Sequence, residues 1–168
     1  MTRTLPLLGF LIMTGSALAQ PTQAPAPERT MAAFGDWVVR CERAAAGRTC
    51  EMAQTMADQR QQPVAVVAFA RGTPPRIVVQ VPVNIAVAEP ARLTLDPPMV
   101  LPFRSCTPQG CFAELALSDA AAVARLRARR ADAPARLEWR DPSGAQQAVP
   151  VSFRGFSDAL DALGREPG

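Results

Sequence analysis

Apolar residues at every second position recur along this chain, and this alternation constrains its fold more than any other feature. Side chains of a strand point alternately to two faces, so a period of two predicts strands with one buried face. Residues 64–70 are apolar on both faces, as in a central strand. The nine or so segments that fit a strand are 36–41, 49–52, 64–70, 76–83, 92–95, 100–104, 111–117, 136–140 and 149–153. The sequence therefore predicts a mainly β fold, an antiparallel sandwich or barrel of about nine short strands.

Two segments break the alternation and predict short helices. Ser118 is the expected N-cap of a helix over 119–130, whose first turn is acidic and whose last turn is rich in arginine. This charge order complements the helix dipole. Apolar side chains at i, i+4 and i+7 predict a second helix over 156–163, with Ser157 as N-cap and Gly164 as its stop.

The first 19 residues have the composition of a cleaved signal peptide. Arg3 precedes a short apolar segment, residues 5–13, and the Ala-Leu-Ala sequence at 17–19 fits the small-x-small cleavage pattern. Cleavage is expected after Ala19. The apolar segment is shorter than the ~20 residues of a spanning helix, and no later segment is long and apolar enough. We therefore expect a periplasmic or secreted protein with no transmembrane segment in the mature chain.

Composition divides the rest of the chain into three parts. Residues 20–33 begin with a stretch rich in proline and alanine and predict a flexible leader. Residues 34–164 carry the strand and helix patterns and are expected to form a single β-sandwich domain. Residues 165–168 are left as a short tail.

The residue types that are missing exclude most classes of enzyme. The chain has no histidine, no lysine and no tyrosine. Without histidine there is no Ser-His-Asp triad and no imidazole metal ligand, and without lysine there is no Schiff-base chemistry. Removal of the signal peptide lowers the formal net charge from +3 to +2, too little to indicate a nucleic-acid partner. We therefore expect a protein that is not an enzyme, with no catalytic residue, metal or cofactor.

The four cysteines form two close-set pairs. An even number in an exported protein predicts disulfide bonds, and four cysteines allow three connectivities. The local pairing, Cys41 with Cys50 and Cys106 with Cys111, is favoured, because a hairpin brings the first two opposite each other. A zinc site of four cysteines and a redox pair of Cys106 and Cys111 are the alternatives. Zinc sites usually contain C-x2–4-C, a spacing that residues 106–111 alone reach, at its upper limit of four. The thioredoxin-type C-x-x-C motif is two residues shorter than this loop.

Three sets of polar or aromatic residues are candidates for a binding role. Trp37 and Trp139 alternate with polar neighbours, which favours a core position over a ligand platform. Asp36 and Glu51 are expected near the first cysteine pair but directed away from the core, which disfavours acid–base catalysis. The densest charge cluster is a candidate surface for lipopolysaccharide, acidic lipid or an acidic partner, although a solvated helix face has the same pattern. Its members are Arg125, Arg127, Arg129, Arg130, Arg136 and Arg140.

Short motifs in a fixed order resemble those of a known family. They are Phe34-Gly35-Asp36-Trp37 leading into Cys41, then Cys50-Glu51-Met52, Pro102-Phe103 before Cys106, Gly110-Cys111, and Gly155-Phe156-x-x-Ala159-Leu160-x-x-Leu163. This order, behind a signal peptide, resembles the invasion-associated locus B family of exported bacterial proteins from about Phe34 to Leu163. The resemblance implies an immunoglobulin-like β-sandwich, paired cysteines and no established catalytic site. For some members it implies a role in host-cell entry.

The function expected from these observations is binding, in the periplasm or at the cell surface. The partner is an unknown protein or envelope component, and the oligomeric state is open. One alternative is a structural or stress-protective periplasmic factor without a dedicated ligand. A second alternative is a weak thiol–disulfide redox protein that uses Cys106 and Cys111.

Overall fold

The computed structural model describes residues 28–45 and 47–166. The predicted signal peptide, residues 20–27 of the predicted leader and the last two residues of the tail lie outside this part of the chain. Within it, no helix has the length and apolar character needed to cross a membrane.

Eleven strands and two helices make up the described part of the chain. In chain order they are β1 (Arg29–Phe34), β2 (Trp37–Ala44), β3 (Gly47–Ala57), β4 (Pro63–Ala70), β5 (Arg76–Val81), β6 (Ala91–Leu93), β7 (Met99–Leu101), β8 (Phe103–Thr107), β9 (Gly110–Ala116), α1 (Ala120–Arg127), β10 (Ala135–Arg140), β11 (Gln146–Val151) and α2 (Phe156–Arg165). A seven-stranded sheet has the order β1-β2-β3-β4-β5-β9-β8, and a four-stranded sheet has the order β11-β10-β6-β7. All of their pairings are antiparallel. The predicted antiparallel β-sandwich is confirmed, with two strands more than the alternation indicated.

The apolar alternation corresponds to burial in the structure. In β5, Ile77, Val79 and Val81 are at most 1% exposed, while Arg76, the first residue of the strand, is exposed. Residues 64–70 form most of β4, which is the middle strand of the seven and is buried on both faces over Val67–Phe69. The doubly apolar segment is therefore the central strand that its pattern predicts.

The N-terminal boundary of the fold differs from the prediction. Residues 29–33, assigned to the flexible leader, form most of β1 and pair with β2 from Arg29 opposite Glu42 to Phe34 opposite Trp37. The strand is mostly exposed, so it has no apolar alternation to reveal it. Backbone hydrogen bonds to β2 define it instead.

Both helices are present, but their ends differ from the predictions. Helix α1 is capped by the Asp119 side chain, which accepts a hydrogen bond from the Ala121 amide at 2.8 Å, and not by Ser118. It ends at Arg127 and does not reach residue 130. Helix α2 begins after Gly155, whose left-handed φ of 80° precedes the helix, so Ser157 is already inside it. Gly164 does not end α2, which continues to Arg165.

The core lies between the two sheets and α2. Its centre is a group of edge-to-face aromatic rings, with Trp37 5.1 Å from Phe156 and Phe156 5.1 Å from Phe69 between ring centroids. Trp37 is fully buried and Trp139 is 7% exposed. Both tryptophans therefore serve as core residues, as their alternation indicated.

Candidate functional site

Both local cysteine pairs lie at disulfide-bonding distance. The Sγ atoms are 2.11 Å apart in Cys41 and Cys50, and 1.99 Å apart in Cys106 and Cys111. Each pair sits directly opposite across a hairpin, β2 with β3 and β8 with β9. No described cysteine is free. The hairpin register therefore brings together the partners that were proposed from sequence spacing.

The two bridges differ in their surroundings. Cys41 and Cys50 are at most 5% exposed and lie in the core, whereas Cys106 is exposed beside a fully buried Cys111. A carboxylate oxygen of Glu166 lies with the first two sulfur atoms in a group no more than 4.8 Å across. Sulfur atoms already joined to each other cannot also supply the two thiolates of a metal site.

Two arginines hold Glu166 beside the first bridge. The carboxylate of Glu166 is 3.2 Å from Nη2 of Arg48. Arg71 donates from Nη1 to the backbone carbonyl oxygen of Glu166. Residue 166, predicted to belong to a short tail after the domain, is thereby held over the bridge.

The six clustered arginines divide between two elements. Four lie on α1 or in the turn after it, and Arg136 and Arg140 lie on β10. Five of the six have a carboxylate within ion-pair distance; the pairs are Arg125–Asp119 at 3.5 Å, Arg127–Asp161 at 2.6 Å, Arg130–Asp132 at 2.5 Å, Arg136–Glu138 at 3.6 Å and Arg140–Glu89 at 2.9 Å. These acids offset much of the positive charge of the predicted patch.

Arg129 differs from the other members because it packs against the core. Its guanidinium carbon lies 5.0 Å from the centroid of the Phe153 ring, a cation–π arrangement. Its Nη2 donates to the carbonyl oxygen of Ala133 at 3.0 Å. This side chain therefore stabilises the contact between α1 and the core and is poorly placed to meet a ligand.

Two of the acids that pair with these arginines have a lowered pKa. A hydrogen bond from Arg127 lowers the pKa of Asp161, and a hydrogen bond from Arg130 lowers the pKa of Asp132. Both are exposed, so these are ordinary surface ion pairs. Their carboxylates stay ionised at neutral pH and keep the arginines paired.

A shallow groove on the four-stranded sheet brings charges of both signs together. Its volume is about 210 Å³, and it is lined by Glu89, Pro90, Arg92, Glu138, Trp139, Arg140 and Gln146. Arg92 of β6 lies directly opposite Glu138 of β10. The Ala86 amide donates to the Arg140 carbonyl oxygen at 2.9 Å, which holds the segment before β6 against the end of β10.

Part of this groove was evident in the sequence. Arg140 and Trp139 were singled out, but Glu89 and Arg92 were not. Arg92 alternates with the buried Ala91 and Leu93, which indicates an outward side chain. The missing information was that β6 pairs with β10, a contact between residues more than 40 positions apart.

Asp36 and Glu51 do not form a carboxylate pair. Asp36 accepts a hydrogen bond from Nε of Arg154 at 3.1 Å, and Glu51 accepts one from Nε of Arg40 at 2.6 Å. Hydrogen bonding by Arg154, with help from Ser152, lowers the pKa of Asp36. Two ionised carboxylates with separate arginine partners do not provide the proton donor and acceptor of an acid–base pair.

The chain is similar to known proteins of one family. The chain matches the family described as invasion associated locus B (IalB) protein over residues 37–164. It is also similar to the crystal structure of invasion associated protein b from Bartonella henselae, with a TM-score of 0.66 and 24% sequence identity. That likeness covers 80% of this chain and 94% of the Bartonella chain, and at this identity it shows the fold alone. No curated protein sequence matches significantly.

Proposed function

The chain belongs to the invasion-associated locus B family, and we propose that it is an exported protein of the bacterial envelope that acts by binding rather than by catalysis. Export is supported by the signal-peptide pattern of residues 1–19 and by two cysteine pairs at bonding distance, since such bridges persist in oxidising compartments. The partner is an envelope component or a protein.

The use of the reactive side chains supports a role without catalysis. The described cysteines are all joined in pairs. A general acid that works near neutral pH needs a raised pKa. In the described chain, each carboxyl group with a shifted pKa has a lowered one, which favours the charged form. These groups are Asp36, Asp132, Asp141 and Asp161.

The groove on the four-stranded sheet is the surface that we propose for the partner, and its charge arrangement carries the proposal. It presents Arg92 and Arg140 beside Glu89 and Glu138 in one concave surface. Oriented charges of both signs favour a partner segment with complementary charges and suppress others. The helix arginines of the six-member cluster form a second candidate surface, for an anionic partner.

A role in host-cell interaction is part of this proposal. It rests on the name of the family and on the Bartonella henselae protein called invasion associated protein b. Nothing in the groove depends on a host, since an envelope component with complementary charges would meet the same side chains.

Crosslinking in living cells, followed by mass spectrometry of the captured partner, tests the proposal. The double variant Arg92→Ser/Arg140→Ser should lose the crosslinked partner, since it removes both groove cations. The matched control Arg127→Ser/Arg130→Ser removes two exposed cations from the helix end of the cluster and should keep the partner. If the crosslinked partner is lost in the control variant alone, binding is assigned to the helix arginines. Absence of any stoichiometric partner would contradict a binding function and favour a structural or stress-protective factor.

The exposure of Cys106 favours a second candidate function, weak thiol–disulfide exchange. A solvent-exposed sulfur is open to attack by a thiolate, whereas its partner Cys111 is fully buried. Turbidity in an insulin-reduction assay measures this activity. Activity that is lost in Cys106→Ser/Cys111→Ser and retained in Cys41→Ser/Cys50→Ser would establish this function. If wild type and both variants are equally inactive, the protein does not have it.

A further inference from the structure

The edges of the two sheets are protected to different degrees. The strand β11 carries Pro150, and β7 has three residues between Pro98 and Pro102. The pairing of β8 with β9 has a register shift between Phe103 and Ser105. Prolines, short strands and irregular pairing are the usual devices that stop an edge from accepting another strand. The fourth edge, β1, is six residues long, contains no proline and pairs with β2 in unbroken register.

The register of the sheet shows which backbone groups of β1 face outward. The Cα atoms of Cys41 and Cys50 are 4.1 Å apart, the spacing of a non-hydrogen-bonded antiparallel pair. Cys41 therefore directs its amide and carbonyl toward β1, where Thr30 lies opposite it. The amide of Arg43 donates to the carbonyl oxygen of Glu28 at 2.8 Å, two residues along, in agreement with this alternation.

The residues between these pairs present their backbone groups to the open edge. They are Arg29, Met31 and Ala33. Within the described residues no strand lies on that side of β1. An open edge with three outward amides and three outward carbonyls accepts a further strand.

An exposed apolar side chain lies at the middle of this edge. Met31 is 73% exposed, the highest value among the large hydrophobic side chains of the described chain. It is opposite Arg40 of β2, so it stands on the outward face of the seven-stranded sheet. A partner strand that covered Met31 would remove apolar area from water as well as pair the backbone.

We propose that a second copy of this chain adds its own β1 to this edge, antiparallel, with Met31 opposite the partner's Met31. Arg29 then lies opposite the partner's Ala33, and Ala33 opposite the partner's Arg29. Each of these three pairs joins outward-facing residues and exchanges two hydrogen bonds. The two Met31 side chains lie side by side on one face of a continuous sheet.

The alternation of outward groups selects this register from its neighbours. Moving the partner by two residues in one direction leaves fewer pairs between outward-facing residues of the two strands. Moving it by two in the other direction brings Pro27, which has no amide hydrogen, into the ladder. A larger shift places Arg29 opposite the partner's Arg29, a like-charge pair. The centred register has three pairs and no facing like charges.

The composition of the leader favours a second copy over the chain's own N-terminal segment as the occupant. Residues 20–27 contain Pro21, Pro25 and Pro27, and a proline cannot donate to a strand ladder. The sequence of β1 has no such interruption. An interface of one strand edge is small, so we expect a weak, reversible dimer with a Kd of about 10–100 µM.

Sedimentation equilibrium of the chain from Gln20 onward, over a concentration series, measures this association. Wild type should dimerise, and Met31→Lys should raise the Kd at least ~10-fold, because the two-fold axis places the new charges opposite each other. Met31→Leu should retain the dimer. Val100→Lys, at the edge strand β7 of the other sheet, is the matched control for an added charge and should leave the Kd unchanged.

Oxidative crosslinking identifies the register. Met31→Cys should form an intermolecular disulfide under mild oxidation, because directly opposite residues of adjacent strands are within reach of such a bond. Val100→Cys, also partly exposed, should form it at least ~10-fold more slowly. Equal crosslinking of the two variants, or a wild-type chain that stays monomeric at 1 mM, would overturn the proposal. Dimerisation of a chain that begins at Glu28, but not of one that begins at Gln20, would also overturn it and assign the edge to the leader.

Discussion

Gly35 and Gly155 lie backbone against backbone, closer than any other residue type would allow. A Cβ atom on Gly155 would lie 2.0 Å from the Phe34 carbonyl oxygen and 2.8 Å from the Gly35 nitrogen. A Cβ atom on Gly35 would lie 2.6 Å from the Arg154 carbonyl oxygen. The turn between β1 and β2 is thereby fastened to the start of α2. Two of the motifs that resemble the family, Phe34-Gly35-Asp36-Trp37 and the one that begins with Gly155-Phe156, meet at this junction.

Replacing Gly155 should test how much stability this junction supplies. Gly155→Ala combines a left-handed φ of 80° with a clash against backbone, so we expect a loss of more than ~3 kcal/mol or failure to fold. Gly144→Ala is the matched control, because Gly144 has a φ of 85° and its Cβ would meet nothing within 4 Å. That variant should lose about 1 kcal/mol. Urea denaturation measures both, and equal losses would contradict the role of close packing.

The junction also shows what could be predicted from the sequence. Local patterns predicted β4 as a central strand and placed both cysteine pairs across hairpins, because these depend on neighbouring residues. They missed the cap of α2, because Ser157 is a common N-cap residue, whereas the helix begins after Gly155, whose backbone packs against the distant Phe34. Contacts between distant segments determine such features.

The candidate binding surface could be predicted in part for the same reason. The positions of the six clustered arginines were evident in the sequence. Two of their neutralising partners were not, because Arg127 pairs with Asp161 on α2 and Arg140 pairs with Glu89 in the segment before β6. The interpretation of a charge cluster depends on those acids, which become visible when the elements are packed.

A buried glutamine beside the same junction gives a prediction with a pH dependence. Gln54 is 5% exposed; its Oε1 accepts from the Ser152 amide at 2.9 Å, and its Nε2 donates to the carbonyl oxygens of Ser152 and Asp36 at 3.3 and 3.4 Å. In Gln54→Glu, burial and two facing carbonyl oxygens should raise the carboxyl pKa above its unfolded value. Such a group loses its stabilising contribution as pH rises through the folded pKa.

We therefore expect Gln54→Glu to be close to wild type near pH 4 and less stable by about 2 kcal/mol at pH 7. Gln109→Glu, at an exposed position in the turn between β8 and β9, is the control and should show no such pH dependence. The measurement is urea denaturation at several pH values. A constant difference between Gln54→Glu and wild type across this range would contradict the assigned contacts.

Asp36 should make the stability of the fold decrease more steeply as the pH falls into the acid range. The hydrogen bond from Arg154 holds the pKa of Asp36 below its ordinary value of 3.8. A group with a lowered folded pKa stabilises the fold above its unfolded pKa, and this contribution is lost as pH falls through the folded pKa. Asp36→Asn should lower Tm by about 2 °C at pH 7, and the difference should shrink as the pH falls below 3.8 and Asp36 becomes protonated.

Thermal unfolding followed by circular dichroism between pH 2 and 7 tests the Asp36 prediction. Glu42→Gln is a suitable control, because the Arg29–Glu42 pair is mostly exposed on both sides and should contribute less. If the Tm difference between Asp36→Asn and wild type is the same at pH 2.5 as at pH 7, the ion pair with Arg154 is not its cause.

The carboxylate of Glu166 should slow reduction of the Cys41–Cys50 bridge by anionic thiols. It lies within 4.8 Å of both sulfur atoms, so it repels an attacking thiolate and disfavours the thiolate that leaves. Glu166→Gln should accelerate reduction by 2-mercaptoethanesulfonate about fivefold and by the cationic thiol cysteamine much less. The Cys106–Cys111 bridge of the same molecule is the internal control and should keep its rate. Alkylation at timed intervals, followed by mass spectrometry, gives each rate separately. An equal acceleration with both thiols would mean that Glu166 acts by covering the bridge and not by its charge.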